Sequence, residues 1–190
     1  MVWMRWFAGA GILVGAMAIG GCASGATAEG MTVKAMTAAG RVAPSDVAKT
    51  LTIDEVVGGS QTHPLDLPQI DNDSFKTALA LSLRDAGLLA EGSGARYRVT
   101  ATILILTQPR EGIDMTVGAT IRYRLTDTKN GAIVFEDEIV ANHTARLGDA
   151  AIGVTRMRLA TEGAARKSIA MFIEKVKAGK VEPKQIALAH

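Results

Sequence analysis

The side chains best suited to nucleophilic, acid–base or metal chemistry in this sequence are one cysteine, Cys22, and three histidines, His63, His143 and His190. Their spacing supports little of that chemistry. A zinc site takes three or four His, Cys or carboxylate ligands, commonly in close-spaced pairs, and no HxxxH, HxH or Cys/His pair occurs. Asp71-Asn72-Asp73-Ser74 has the opening of a calcium loop, but the glycine and the closing glutamate are missing at the required offsets. That stretch reads as a helix cap, with Asp73 or Ser74 accepting from the first free N–H groups. The Gly-rich stretches Gly58-Gly59 and Glu91–Arg96 lack the GxGxxG and GxxxxGK[ST] patterns that cradle phosphates, and no GxSxG elbow is present. The residues therefore predict no enzyme, no catalytic group, no bound metal and no cofactor.

Cys22 has a different context. It lies in "GAMAIGGCASGATA", Gly15 to Ala28, where an apolar run ends in small residues before the cysteine. Upstream, Arg5 supplies a positive n-region, Phe7 to Ile19 is uncharged, and Gly20 and Gly21 suit a peptidase. This is the layout of an export signal. The run Ile19-Gly20-Gly21-Cys22 resembles the lipobox of bacterial lipoproteins. The resemblance implies cleavage before Cys22, a diacylglyceryl thioether on its thiol and usually an acyl chain on its amine. One acyl chain anchors only marginally, whereas two or more hold firmly, at about 0.8 kcal/mol per buried methylene. Ala23 and Ser24, with no Asp next to the cysteine, resemble the pattern sorted to the outer membrane. Without the lipobox, the same residues read as an ordinary signal peptide or a membrane helix with an incidental cysteine.

Composition bounds the rest. The 190 residues suffice for one domain plus extensions, and 48% hydrophobic residues make a packed core feasible. Aromatics are only 4%, so that core must be largely aliphatic. A net charge of +2, without clustered Lys and Arg over the whole chain, gives no nucleic-acid surface. A single cysteine excludes an intrachain disulfide.

The elements that must position any site follow from periodicity. Residues 1–21 read as a lipoprotein signal peptide, 22–48 as a flexible tether, 49–178 as an α+β domain and 179–190 as a frayed tail. Met31 to Ala39 could turn into a short helix, weakened by Thr37 and Gly40. Leu51–Val57 is β-branched and reads as a strand. "THPLDLPQI" carries two prolines and reads as a loop or an edge segment. Phe75, Leu79 and Leu83 recur at helical spacing, with Ala78 and Ala86 beside them and Gly87 as the stop. Tyr97, Val99, Ala101, Ile103 and Ile105 alternate along a second strand. Ile113, Met115, Val117, Ala119, Ile121, Tyr123 and Leu125 do so along a third, and Ile133, Phe135, Ile139 and Ala141 along a fourth. Asn130-Gly131 supplies the turn between the last two. These three strands form an antiparallel meander with one wet face, on which Arg122 and Arg124 pair with Glu136 and Glu138. A long helix, about Asp149 to Val176, has the stripe Ala165, Ile169, Phe172, Ile173 and Val176, and Gly179 ends it. The predicted fold is a two-layer α+β domain: a mainly antiparallel sheet of about four strands with two helices on one face.

The run "FKTALALSLRDAGLL" leading into "RYRVTATILIL" resembles small envelope lipoproteins of the YajG type, over Leu51 to Val176. That family contributes no catalytic residues. Arg156, Arg158, Arg166 and Lys167 read as a solvated helix face, or as a patch for anionic lipid or an acidic partner. The expected function is that of a lipid-anchored envelope protein, held to its membrane by lipid at Cys22 and acting as a non-catalytic binding or accessory module, with an envelope protein as partner and no nucleic acid. Its expected place is the outer membrane, facing the periplasm. Two alternatives stand beside it: an accessory subunit of a lipid or lipopolysaccharide transport or assembly machine, favoured by an apolar groove between helices and sheet, and a hydrolase or acyltransferase with an unrecognised site.

Overall fold

The computed structural model describes residues 24–34 and 46–179. Cys22, the signal segment, His190 and nearly all of the C-terminal tail lie outside them. The element order is α1 (Ala28–Met31), β1 (Leu51–Val57), α2 (Asn72–Asp85), β2 (Tyr97–Thr107), β3 (Met115–Asp127), β4 (Ile133–Ala145) and α3 (Gly153–Lys177). The strands form one sheet in the order β1-β2-β3-β4. β1 runs parallel to β2, with α2 as the crossover, and β2, β3 and β4 form the antiparallel meander. The fold is therefore α+β, as the periodicity indicates, with a mixed but mostly antiparallel sheet.

The core sits between the sheet and its helices. Val99, Ala101, Val117, Ile121, Tyr123 and Leu125 point one way and are buried. Phe75, Leu79 and Leu83 of α2 and Ile169, Phe172 and Val176 of α3 cover them. With so few aromatics, the rings are concentrated. Phe172 stacks on Tyr123 at 4.4 Å between centroids and lies 5.8 Å from Phe135. The Tyr123 hydroxyl, buried among apolar groups, bonds the Ser168 hydroxyl at 3.1 Å, and burial pushes its pKa up. On the opposite face Arg122 meets Glu138 and Arg124 meets Glu136, each pair at register positions across β3 and β4.

Five expectations need correction. The cap of α2 is Asp71, whose carboxylate accepts from Ser74 N–H at 2.8 Å; Asp73 lies exposed in the first turn, where it complements the helix dipole. Alternation in β2 breaks at an irregularity between Ile103 and Ile105. The extra residue turns Ile105 out to solvent and brings Leu106 onto the core. Ile113 is likewise exposed, because β3 begins two residues later at Met115. The long helix starts at Gly153 rather than near Asp149, whose carboxylate instead accepts from Arg146 N–H in the preceding loop.

The fifth concerns the tether. Ser24–Lys34 lies against the domain. Thr27 caps α1, a single turn that packs on α2 and α3, and Met31 is fully buried. Small and polar residues look like linker in sequence, yet here they are what allows close backbone approach.

Candidate functional site

Two clefts flank the first half of α3 and share Leu159, Glu162 and Arg166. The larger, about 710 Å³, opens between α3 and the N-terminal segment, with Glu29, Lys34 and Arg158 on its walls. The smaller, about 430 Å³, opens between α3 and the end of β4, beside His143, Arg146 and Asp149.

Glu162 stands between them and is only 5% exposed. A buried carboxylate is costly unless charges or donors satisfy it. Thr27 provides two donors, its backbone N–H at 2.9 Å and its hydroxyl at 2.8 Å. The same hydroxyl accepts from Gly30 N–H, so one threonine both caps α1 and ties it to α3. Arg158 lies one helical turn away, 4.0 Å from the carboxylate. A Cβ at Gly30 would fall 2.2 Å from the Glu162 carboxylate, so any other residue there would displace that carboxylate from its present seat. Arg166 reaches back to donate to the Gly30 carbonyl. Val33 N–H bonds the Ser82 hydroxyl of α2 at 2.9 Å, and Ala26 N–H bonds the Gln69 carbonyl at 2.9 Å. The N-terminal segment is thus pinned at both ends and in the middle.

The basic stretch of α3 is divided: Arg156 is buried, Arg158 and Arg166 are half-buried beside the N-terminal segment, and Lys167 keeps to the solvated face. Arg156 is buried and donates to the carbonyls of Ala150 and Ala151 at 2.7 and 2.8 Å, closing the loop before the helix. Arg158 bonds the Ser24 hydroxyl at 3.3 Å, and Lys167 reaches the Asn142 carbonyl at 3.4 Å.

His143, near the end of β4, lies on the α3 backbone at Gly163, where a Cβ would come 2.0 Å from its ring. Burial depresses its pKa. The Arg166 charge, and more weakly Lys167, push the same way, against Asp149. The imidazole is therefore mostly neutral near pH 7. His63 sits exposed on the loop before α2, and neither cleft includes it. Among the described residues no cluster of three or more His, Cys, Asp or Glu is placed to hold a metal. No described helix is long and apolar enough to cross a membrane.

Periodicity does not single out Glu162, Thr27 or Gly30. The only local signal is Thr27 three residues before Gly30, a spacing that suits a capping turn.

No family model matches this sequence, and no curated protein matches it. Solved structures do. Protein XCC0632 from Xanthomonas campestris, of family DUF330, superposes with a TM-score of 0.51 at 9% identity, over 73% of this chain and 91% of that one. A lipoprotein candidate from Caulobacter crescentus gives 0.49 at 15% identity, over 71% and 93%. A minor lipoprotein from Acinetobacter baumannii gives 0.48 at 12% identity, over 72% and 98%. At such identities the likeness is one of fold alone.

Proposed function

We propose that this chain is a lipid-anchored envelope protein, acylated at Cys22, that binds a partner rather than catalysing a reaction. The observation that carries the reading is the docking of Ser24–Lys34. The residues just after Cys22 are fastened to the domain through Glu162, Arg158, Arg166 and Gln69. An acyl group on Cys22 would therefore hold the folded domain close to a bilayer. The binding reading draws support from where the polar groups are spent. Glu162, Arg156, Arg158 and Arg166 bond their own chain, which leaves them structural work. YajG-type likeness and outer-membrane sorting belong to the same proposal. An apolar groove between helices and sheet would favour the transport-subunit alternative; Phe172, Ile169 and Leu79 pack the middle of that space, and the cleft at its end, between α3 and β4, is lined mainly by polar groups such as His143, Arg146, Asp149 and Arg166.

Metabolic labelling tests the anchor. Labelled palmitate should enter the wild-type protein and not Cys22→Ser. A wild-type protein recovered soluble and unlabelled would overturn the reading.

A further inference from the structure

We infer that one end of the domain is a membrane-contacting surface, built from the tips of three loops beside the point where the anchored chain enters. The inference rests on the lipid-anchor reading and adds an orientation to it. The topology gathers the C-terminal ends of β1, β2 and β4, the start of β3 and the starts of α2 and α3 at this end. Three connections lie there: residues 58–71, 108–114 and 146–152.

Of the seven large apolar side chains exposed among the described residues, five sit on these loops: Leu65, Leu67, Ile113, Leu147 and Ile152. Leu65 is 99% exposed and Ile113 71%. Single exposed apolar residues are ordinary, but their confinement to one end is not. The loops are also braced, not loose. Thr62 Oγ1 accepts from Gln69 N–H at 2.7 Å and pinches the first loop, leaving Leu65 and Leu67 at its tip. Gln108 donates to the Pro68 carbonyl at 2.6 Å and joins the first loop to the second. Leu147 N–H donates to the Asp114 carboxylate at 3.1 Å and joins the second to the third.

The occupant is indicated by the chain itself. Ser24 and Gly25 lie against Arg158 and Thr62, at the base of the first loop. Cys22 is two residues upstream of Ser24, and two residues reach at most ~7 Å. The acyl chains would therefore leave the protein at the end where the leucines and isoleucines protrude. Charge fits a largely apolar contact. Asp114 and Asp149 are engaged with loop N–H groups, and Arg110, Arg146 and His63 are interspersed with Asp66 and Glu111.

The sequence offers a clean probe. Its two tryptophans, Trp3 and Trp6, both precede Cys22, so a chain cleaved there contains none. Leu147→Trp and Leu65→Trp place one on the loop end. Lys129→Trp places one in the β3–β4 turn, on the order of 40 Å away along β3. Each full chain is expressed with its signal, purified from membranes and reconstituted in phosphatidylethanolamine–phosphatidylglycerol vesicles with brominated acyl chains. Apolar residues seated at an interface lie about 5–10 Å deep, within reach of the bromines, so both loop probes should be quenched about twofold or more and Lys129→Trp left unquenched. Intact mass reads acylation separately. Acylated protein with unquenched loop probes, or with all three probes alike, overturns the orientation and leaves the apolar loops for a protein partner. Loop probes quenched in protein that carries no acyl group, but whose mass shows Trp3 and Trp6 removed, would support the surface and overturn the Cys22 reading.

Discussion

Glu162 lies mid-helix between Thr161 and Gly163, in a stretch whose charges read as a solvated face. Its donor Thr27 is 135 positions away, so no local pattern could pair them. The cap at Asp71 shows the complementary limit. A cap was legible within Asp71–Ser74, but which oxygen accepts depends on where the helix begins, and that is set by burial of Phe75. Across the sheet, by contrast, Arg122–Glu138 and Arg124–Glu136 follow directly from strand alternation and one turn. Such exposed pairs, screened by solvent, contribute little. His143 has a consequence for pH. Its folded pKa lies below that of an unfolded histidine, so the unfolded chain takes up the proton first as pH falls. The contribution is complete above about pH 6.5 and is lost as pH falls from there through the lower folded value. Thermal midpoints measured from pH 7.5 to 5 should fall less steeply for His143→Gln than for wild type. Parallel profiles would mean that the ring does not titrate differently in the two states.

At the level of elements, long amphipathic segments declare themselves. The stripe Ala165, Ile169, Phe172, Ile173 and Val176 is buried as its spacing requires, and Ile103, Ile121 and Phe135 lie in the same core as Leu79 and Phe172. What alternation does not reveal is the irregularity in β2, because an inserted residue changes facing without changing composition. The start of α3 was hidden for a related reason. Asp149 resembles a cap in sequence, but its carboxylate is taken by Arg146 N–H, while Arg156 folds back over the carbonyls before the helix. Phe172 joins helix to sheet through Tyr123 and Phe135. Truncating a fully buried phenylalanine removes its transfer free energy and leaves a cavity, so Phe172→Ala should cost about 3–5 kcal/mol in denaturant unfolding. A loss below about 1 kcal/mol would place the ring outside the core.

For the whole molecule, the question is how far the domain stands from its anchor. Read as a linker, residues 22–48 would allow the domain to range ~90 Å from Cys22 when fully extended. With Ser24–Lys34 docked, the reach falls to ~7 Å. The docked state depends on Glu162. Removing its carboxylate leaves the Thr27 N–H and hydroxyl without their acceptor; Thr27 is itself exposed, so water can take the acceptor's place and the cost is that of the lost bonds, on the order of 1 kcal/mol. Burial of Met31, worth about 1.5–3 kcal/mol, opposes release. The balance favours local opening without global unfolding, because the segment packs on α2 and α3 at the edge of the core and contributes no strand to the sheet. Hydrogen exchange separates the two. In wild type the amides of Ala26, Thr27, Met31 and Val33 are bonded and should exchange slowly. In Glu162→Ala they should exchange about tenfold faster or more, a change of about 1.4 kcal/mol, while Val99, Ile121 and Tyr123 in the sheet keep their protection. Glu162→Gln, which retains an acceptor oxygen, should fall between. Equal acceleration across segment and sheet would make Glu162 a support of the whole fold. Unchanged exchange at all four amides would show that Met31, Ser82, Arg166 and the backbone bonds hold the segment without Glu162, and that the distance from anchor to domain does not depend on this carboxylate.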